Sequence, residues 1–268
     1  MKTCRFVIFV AVIASMCMLT AVCAPANSLT IINRIYKIIW DGKESGEAGK
    51  SKEAEESKNE ESGEAAAGQE QKYIALTFDD GPHPRYTGQI LDILEAKKAP
   101  ATFFIVGNRA ELNPTLVRRI KSAECEIGNH THEHVDLSKI SRDEFLKQMD
   151  KCNEVIYNAT GCYPKVYRPP FGRISKAHEH LISDRMRKIL WTVDSHDWKT
   201  SDKDRIVKHV VSSAKDKAII LMHDFYSQTV EALPGIIDGL EEQGYKFVTV
   251  SELIEMRELP ERMERFMN

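Results

Sequence analysis

The chain lacks most of the features that announce the commoner function classes. It has no large excess of one charge: 37 Lys and Arg stand against 40 Asp and Glu, a formal net of -3. Even this acidity is local, because residues 41–72 hold ten acidic residues against five lysines and leave the remainder at +2. Nucleic-acid binding needs a concentrated basic face, so a near-neutral body argues against it and suits an uncharged or mixed-charge polymer. No internal repeat and no nucleotide-type glycine loop is found. The glycine after the first apolar run of the main domain stands in Asp80-Gly81-Pro82, a turn and not a phosphate cradle. Of six cysteines, Cys4, Cys17 and Cys23 crowd the start, leaving Cys125, Cys152 and Cys162. No pair among these has the spacing of a zinc-thiolate knuckle, which removes thiolates as metal ligands. An oxidising exterior would permit a Cys152 to Cys162 bridge, with buried free thiols as the other reading.

What is present begins with targeting. Lys2 and Arg5 flank an almost unbroken apolar run, Phe6 to Val22, that leads to Cys23 and Ala24. Residues 1–24 therefore read as a secretory signal, with Val22 and Ala24 fitting cleavage after Ala24. The run nearly reaches the ~20 residues that span a bilayer, so an uncleaved membrane anchor is the alternative. A lipid-modified Cys23 is a third, in a poor sequence context. Export to a secreted or cell-envelope location is expected, with membrane attachment through the N-terminal segment left open. Residues 25–40 are amphipathic, with Ile31, Ile32, Ile35, Tyr36, Ile38 and Ile39 around Arg34 and Lys37. They would lie on a membrane surface or dock on the main domain. From 41 to 71 no apolar residue exceeds Ala in size, and such a stretch cannot bury enough surface to offset ordering entropy. It reads as a disordered linker, leaving 72–268 as a single catalytic domain.

Seven short apolar runs punctuate that domain: Tyr73 to Phe78, Ala101 to Val106, Glu124 to Gly128, Lys165 to Tyr167, Ile189 to Val193, Ala218 to Met222 and Lys246 to Val250. Amphipathic stretches such as Arg142 to Asn158 and Val230 to Gln243 lie between them. This alternation predicts an α/β fold of about seven parallel strands with helical crossovers, and a barrel or a doubly wound sheet would both fit. The unusual polar residues sit at or just past the run ends: Asp79, Asp80, His130, Arg168, Asp194, Asp197 and His223. In a β/α barrel the strand carboxyl ends share one face, so these distant residues would converge there.

Two adjacent carboxylates in Thr77-Phe78-Asp79-Asp80-Gly81-Pro82 would point different ways, because side chains alternate along a strand. One can face a metal and the other a reacting water, although an Asp-Gly surface turn has the same sequence. In His130-Thr131-His132-Glu133-His134 the outer imidazoles stand four apart and can reach one ion if the segment is helical or tightly turned, while His132 points elsewhere. Asp80 completes a two-histidine, one-carboxylate set with open positions, a set that also suits non-haem iron.

These runs, together with Arg168-Pro169-Pro170-Phe171-Gly172, Asp194-Ser195-His196-Asp197-Trp198 and Leu221-Met222-His223, resemble in order and spacing the five motifs of the carbohydrate esterase family 4 polysaccharide deacetylases, the NodB-homology domain. The resemblance covers about Lys72 to Arg257. It implies a distorted (β/α) barrel in which Asp80, His130 and His134 bind a divalent metal, zinc first, with cobalt, manganese, nickel or iron as alternatives. By the same resemblance Asp79 is the general base, Arg168 orients it, His223 is the general acid and Asp197 favours its protonated form. The Phe171 N–H would stabilise the oxyanion, Trp198 and Leu221 would line the pocket for the acetyl methyl, and Asp194 would be structural. Phe171 stands where many relatives have Tyr. The implied activity is N-deacetylation of N-acetylglucosamine residues in a cell-wall polysaccharide, peptidoglycan first and chitin-type oligomers second. O-deacetylation of xylan and a non-catalytic carbohydrate-binding module on the same fold are the alternatives.

Overall fold

The computed structural model describes residues 71–267, so the signal, the amphipathic segment and nearly all of the linker lie outside the described residues. Eight parallel strands form the sheet: β1 (Lys72–Asp79), β2 (Ala101–Ile105), β3 (Glu126–Asn129), β4 (Val166–Tyr167), β5 (Arg187–Lys188), β6 (Val193–Asp194), β7 (Ala218–His223) and β8 (Tyr245–Phe247). Their order is β5-β4-β3-β2-β1-β7-β6, and the sheet curls into the expected distorted barrel. β1 is central, pairing with β7 from Ile74 to Asp79 along one edge. Its other edge is shared by β8 at Lys72 to Ile74 and β2 from Leu76 onward.

Alternation along β1 explains both the core and the site. Ile74, Leu76 and Phe78 point outward into the main hydrophobic cluster with Phe103, Ile105, Ile220 and Met222. That cluster also takes Ile90, Leu91 and Leu94 from α1 (Tyr86–Lys97) and Leu233, Ile236, Ile237 and Leu240 from α7 (Ser227–Glu242). Each such side chain contributes about 1.5–3 kcal/mol by leaving water. The intervening Thr77 and Asp79 face the barrel interior instead, where both accept hydrogen bonds from Arg168. A second cluster of Leu137, Phe145, Met149, Tyr167, Ile182 and Met186 lies under α4 (Arg142–Thr160). Ser141 caps that helix by accepting the Glu144 N–H at 3.2 Å, Asp143 and Glu144 complement the dipole in its first turn, and Gly161 ends it at φ 72°. The remaining helices are α2 (Gly107–Leu112), α3 (Pro114–Ser122), α5 (Lys176–Glu179), α6 (Lys203–Ser213) and α8 (Val250–Met267).

Two strand boundaries are corrected. Ile189 to Val193 is not one strand: β5 ends at Lys188 on one edge of the sheet and β6 begins at Val193 on the opposite edge, so the intervening residues cross the gap of the barrel. The third strand starts at Glu126 because Glu124 is left-handed at φ 57°, which strand pairing does not admit. The Cys152 to Cys162 bridge is not formed. Cys152 is a buried free thiol, Cys125 is buried, and Cys162 lies 3.2 Å from Lys121 Nζ. Burial pushes the Cys152 thiol up to about 12. Among the described residues no helix is long and apolar enough to cross a membrane.

Candidate metal centre and active site

The carboxyl end of β1 breaks into a turn at Asp80, which adopts φ 77°. A non-glycine residue there is strained and must be held. The hold comes from α2: Arg109 donates to the Asp80 carbonyl and the Val106 N–H to the Gly81 carbonyl at 2.7 Å. Past β3, His130 Nδ1 donates to the Arg168 carbonyl at 2.7 Å, which fixes the ring and turns Nε2 toward Asp80. His134 follows through a tight turn, not a helix, with Thr131 at φ 67° and His134 at φ 57°. Asn129 Oδ1 accepts the Thr131 N–H at 2.7 Å, and Gln148 of α4 accepts the Glu133 N–H at 2.8 Å, so the turn is anchored at both ends. His132 is buried away from the pair, its Nδ1 against Gly107.

Asp80 Oδ1 lies 3.0 Å from His134 Nε2 and 3.4 Å from His130 Nε2, and the three ligand atoms all fall within 4.8 Å of one another. Burial would raise the Asp80 carboxyl, but the hydrogen bonds and charges of the two histidines outweigh it and hold it far below the usual range. The donor set fits a cation on local grounds. Two ring nitrogens and one carboxylate oxygen converge within 4.8 Å, and such a set leaves room for water and substrate.

Beside this set lies Asp79, 4% exposed, with Oδ2 3.8 Å from His130 Nε2 and Oδ1 accepting from Arg168 Nη1 at 2.7 Å. Arg168 is wholly buried and uses four of its five N–H donors: Nη1 also reaches Thr77 Oγ at 2.8 Å, Nε the Ile189 carbonyl at 3.4 Å and Nη2 the Leu190 carbonyl at 3.3 Å. Its guanidinium lies over the Phe104 ring at 4.1 Å. Directly across the β1–β7 ladder from Asp79 stands His223. Its Nδ1 bonds Asp197 Oδ1 at 2.7 Å, and Asp197 Oδ2 accepts the His223 N–H and the Thr229 hydroxyl, each at 2.7 Å. Burial works against the imidazolium, yet the bond to Asp197 and the charges of Asp197, Asp79 and Asp80 raise the His223 pKa to about 9. One strand thus presents a carboxylate and its neighbour an acid, about 4.8 Å apart in the ladder.

The comparisons decide the family. A model described as polysaccharide deacetylase matches residues 66–187. A relative named peptidoglycan-N-acetylglucosamine deacetylase, from Bacillus cereus, is 43% identical over 190 residues, covering 69% of this chain and 89% of the relative. The chain belongs to the polysaccharide deacetylase family. Peptidoglycan-N-acetylmuramic acid deacetylase PdaC of Bacillus subtilis is 44% identical over 189 residues, 70% of this chain, but the match spans only 40% of that longer relative. The solved structure of PdaC superposes with a TM-score of 0.69 at 41% identity, covering 72% of this chain and 95% of that one.

Within this deacetylase domain the structure brings Asp79, Asp80, His130, His134, Arg168, Asp197 and His223 to one end of the barrel. Phe171, at φ 59° in the turn Pro170–Gly172, is exposed and sets its ring edge-on to His134 at 4.9 Å. Leu221 is buried two residues before His223 on the same strand face. Trp198 is half-exposed, with His196 edge-on to it at 6.4 Å. Asp194 has a turn role: its Oδ1 accepts the His196 N–H at 2.8 Å and its carbonyl bonds His209 at 3.0 Å.

Sequence reasoning missed the supports. Thr229 and Arg109 had no motif of their own, and Thr77 stood in the first motif without a role. Asp224 had a signal in its place next to His223. It is fully buried; Oδ2 accepts the Thr87 hydroxyl at 2.5 Å, Oδ1 has no hydrogen-bond partner among the described residues, and burial together with Asp80 and Asp79 pushes its pKa up to about 7. A Cβ on Gly81 would overlap this carboxyl group, which is the physical reason for glycine in the Asp-Gly-Pro turn.

Proposed function

We propose that the chain is a metal-dependent hydrolase that removes N-acetyl groups from N-acetylglucosamine residues of a cell-wall polysaccharide, peptidoglycan first and chitin-type oligomers second. The observation that carries this reading is the opposition of Asp79 and the Asp197-paired His223 across adjacent strands, with Asp80, His130 and His134 alongside. A binding module needs no acid–base pair.

A divalent ion held by Asp80, His130 and His134, zinc first, would supply Lewis acidity toward the acetyl carbonyl. The residues do the rest. Asp79, oriented by Arg168, takes a proton from water as its oxygen adds to the carbonyl carbon. The Phe171 N–H is assigned to the oxyanion, and Trp198 and Leu221 to the acetyl methyl. His223 then gives its proton to the leaving nitrogen as the C–N bond breaks, yielding acetate and a free amine. The names of the Bacillus relatives support a peptidoglycan substrate and an envelope location. We assign residues 1–24 to export or anchoring, 25–40 to an amphipathic segment, 41–71 to a linker and 72–268 to catalysis.

The test is release of acetate and free amine from N-acetylglucosamine oligomers and from purified wall, with zinc or cobalt added. No product from either substrate would overturn the reading. Asp79→Asn should abolish turnover while metal stays bound, and loss of metal instead would show that its role is misassigned.

A further inference from the structure

One flank of the site carries a chain of rings that the reaction does not use. Starting at His223, Tyr226 stands edge-on at 5.8 Å, Phe225 follows at 6.0 Å, His83 at 4.9 Å, and Tyr86 stacks on His83 at 4.6 Å. All are partly exposed; Phe225, Tyr226 and His83 belong to the segments after β7 and β1 and Tyr86 opens α1, on the face where the site lies. Two guanidinium groups lie over the row: Arg109 over Phe225, its middle ring, at 4.4 Å and Arg85 over Tyr86, its far end, at 5.5 Å. Neither makes an ion pair with any carboxylate among the described residues, whereas Arg119, Arg168, Arg173, Arg185 and Arg187 each do. Arg109 is half-buried and spends one N–H on the Asp80 carbonyl, so it stays oriented with donors left over.

We propose that this ledge is a subsite for a carboxylate-bearing sugar next to the reacting residue. The rings take the apolar face of the sugar, and Arg109, seconded by Arg85, pairs with the carboxylate. A polymer whose acetamide reaches His223 must continue over some neighbouring surface, and the ledge begins at His223 itself. Rings offer flat apolar area at low entropy cost, and a fixed guanidinium matches a carboxylate in two-point geometry. The chemistry favours an anionic glycan, such as one bearing lactyl carboxylates, over a neutral chitin-type oligomer. This inference rests on the deacetylase reading above.

The experiment compares the zinc-loaded full chain on three substrates: peptide-free glycan strands with free lactyl carboxylates, the same strands with those groups converted to amides, and N-acetylglucosamine oligomers. The value read is the ratio of kcat/KM for acid over amide strands, which cancels any loss that Arg109→Gln causes through the Asp80 turn. The wild type should favour the acid form by about tenfold, the span of a hydrogen bond to a charged group. In Arg109→Gln the ratio should fall toward one through KM, and in the more exposed Arg85→Gln by about two- to threefold. A wild-type ratio near one, or a ratio unchanged in Arg109→Gln, would overturn the subsite. If no substrate is turned over, the deacetylase reading fails, and calorimetric binding of acid against amide strands still decides: equal affinity overturns the subsite, tighter acid binding lost in Arg109→Gln supports it.

Discussion

Replacing Asp197 by Asn tests the division of labour most sharply, because it leaves the base and the metal ligands untouched. In the wild type, burial lowers the His223 pKa and the Asp197 bond and charge more than reverse this, bringing it to about 9, with smaller help from Asp79 and Asp80. A bound dication offsets the help from those two, so Asp197 carries what remains. The acid form is present below that pKa and is lost as pH rises through it, which places an alkaline limb on kcat/KM. Asparagine of the same shape keeps one carbonyl oxygen for the ring N–H but removes the charge. Burial then acts nearly alone, and the pKa drops to the ordinary 6.5 or below. At pH 7.5 the imidazolium fraction falls from nearly all to about a tenth or less, so activity should fall at least about tenfold there and far less at pH 5.5. The assay is the pH profile of acetate release for both proteins at saturating zinc. A variant profile that keeps the wild-type alkaline limb and is merely scaled down would refute His223 as the acid. The same shift acts on folding: the stabilisation from His223 is fully present below pH 6.5 and is lost as pH rises toward 9, a slope that Asp197→Asn should flatten in thermal melts.

Arg168→Met should cost about 3–5 kcal/mol and lower Tm by roughly 10 °C, because Asp79 stays buried without its partner; a Tm within 2 °C of wild type would contradict the burial and pairing described. Gly81→Ala should destabilise the site turn by pressing a methyl into Asp224, and adding Asp224→Ser should recover part of the lost Tm; no recovery would mean that the clash lies elsewhere. Saturating zinc should raise Tm through mass action, by about 2.7 kcal/mol at a hundred times Kd, and a chelator should remove the gain. In His134→Ala the melt should become insensitive to both.

The sequence was most legible where chemistry and pattern coincide. The apolar run Tyr73 to Phe78 foretold the first strand, and the carboxylates at its end foretold the site, because a residue at a parallel strand terminus has only one face to join. The histidine segment was legible in its spacing but not in its backbone. Its turn depends on Asn129 and Gln148, and Gln148 lies on a helix more than a dozen residues later. Ile189 to Val193 misled for a related reason: an apolar run signals burial in one element, whereas here Ile189 and Val193 are buried, Leu190 is exposed, and the stretch crosses a gap without pairing as one strand. Asp224 escaped because a buried carboxyl group against a glycine Cα leaves no periodic trace.

The misread run also explains why one residue serves both the fold and the proposed reaction. A curled sheet whose edge strands β5 and β6 do not pair leaves backbone carbonyls without ladder partners where the chain crosses the gap, and buried orphans of this kind are costly. Arg168, at the end of β4 beside that gap, donates to the Ile189 and Leu190 carbonyls with one side of its guanidinium and to Thr77 and Asp79 with another. Lysine, a single ammonium, cannot span both sets, whereas the planar five-donor fork can. The backbone carbonyl of Arg168 meanwhile fixes the His130 ring. Closing the barrel therefore orients Asp79, the proposed base, and the ring of His130, a proposed metal ligand, at once, so the geometry of the proposed site is tied to the part of the fold that hydrogen-bonded strands leave open.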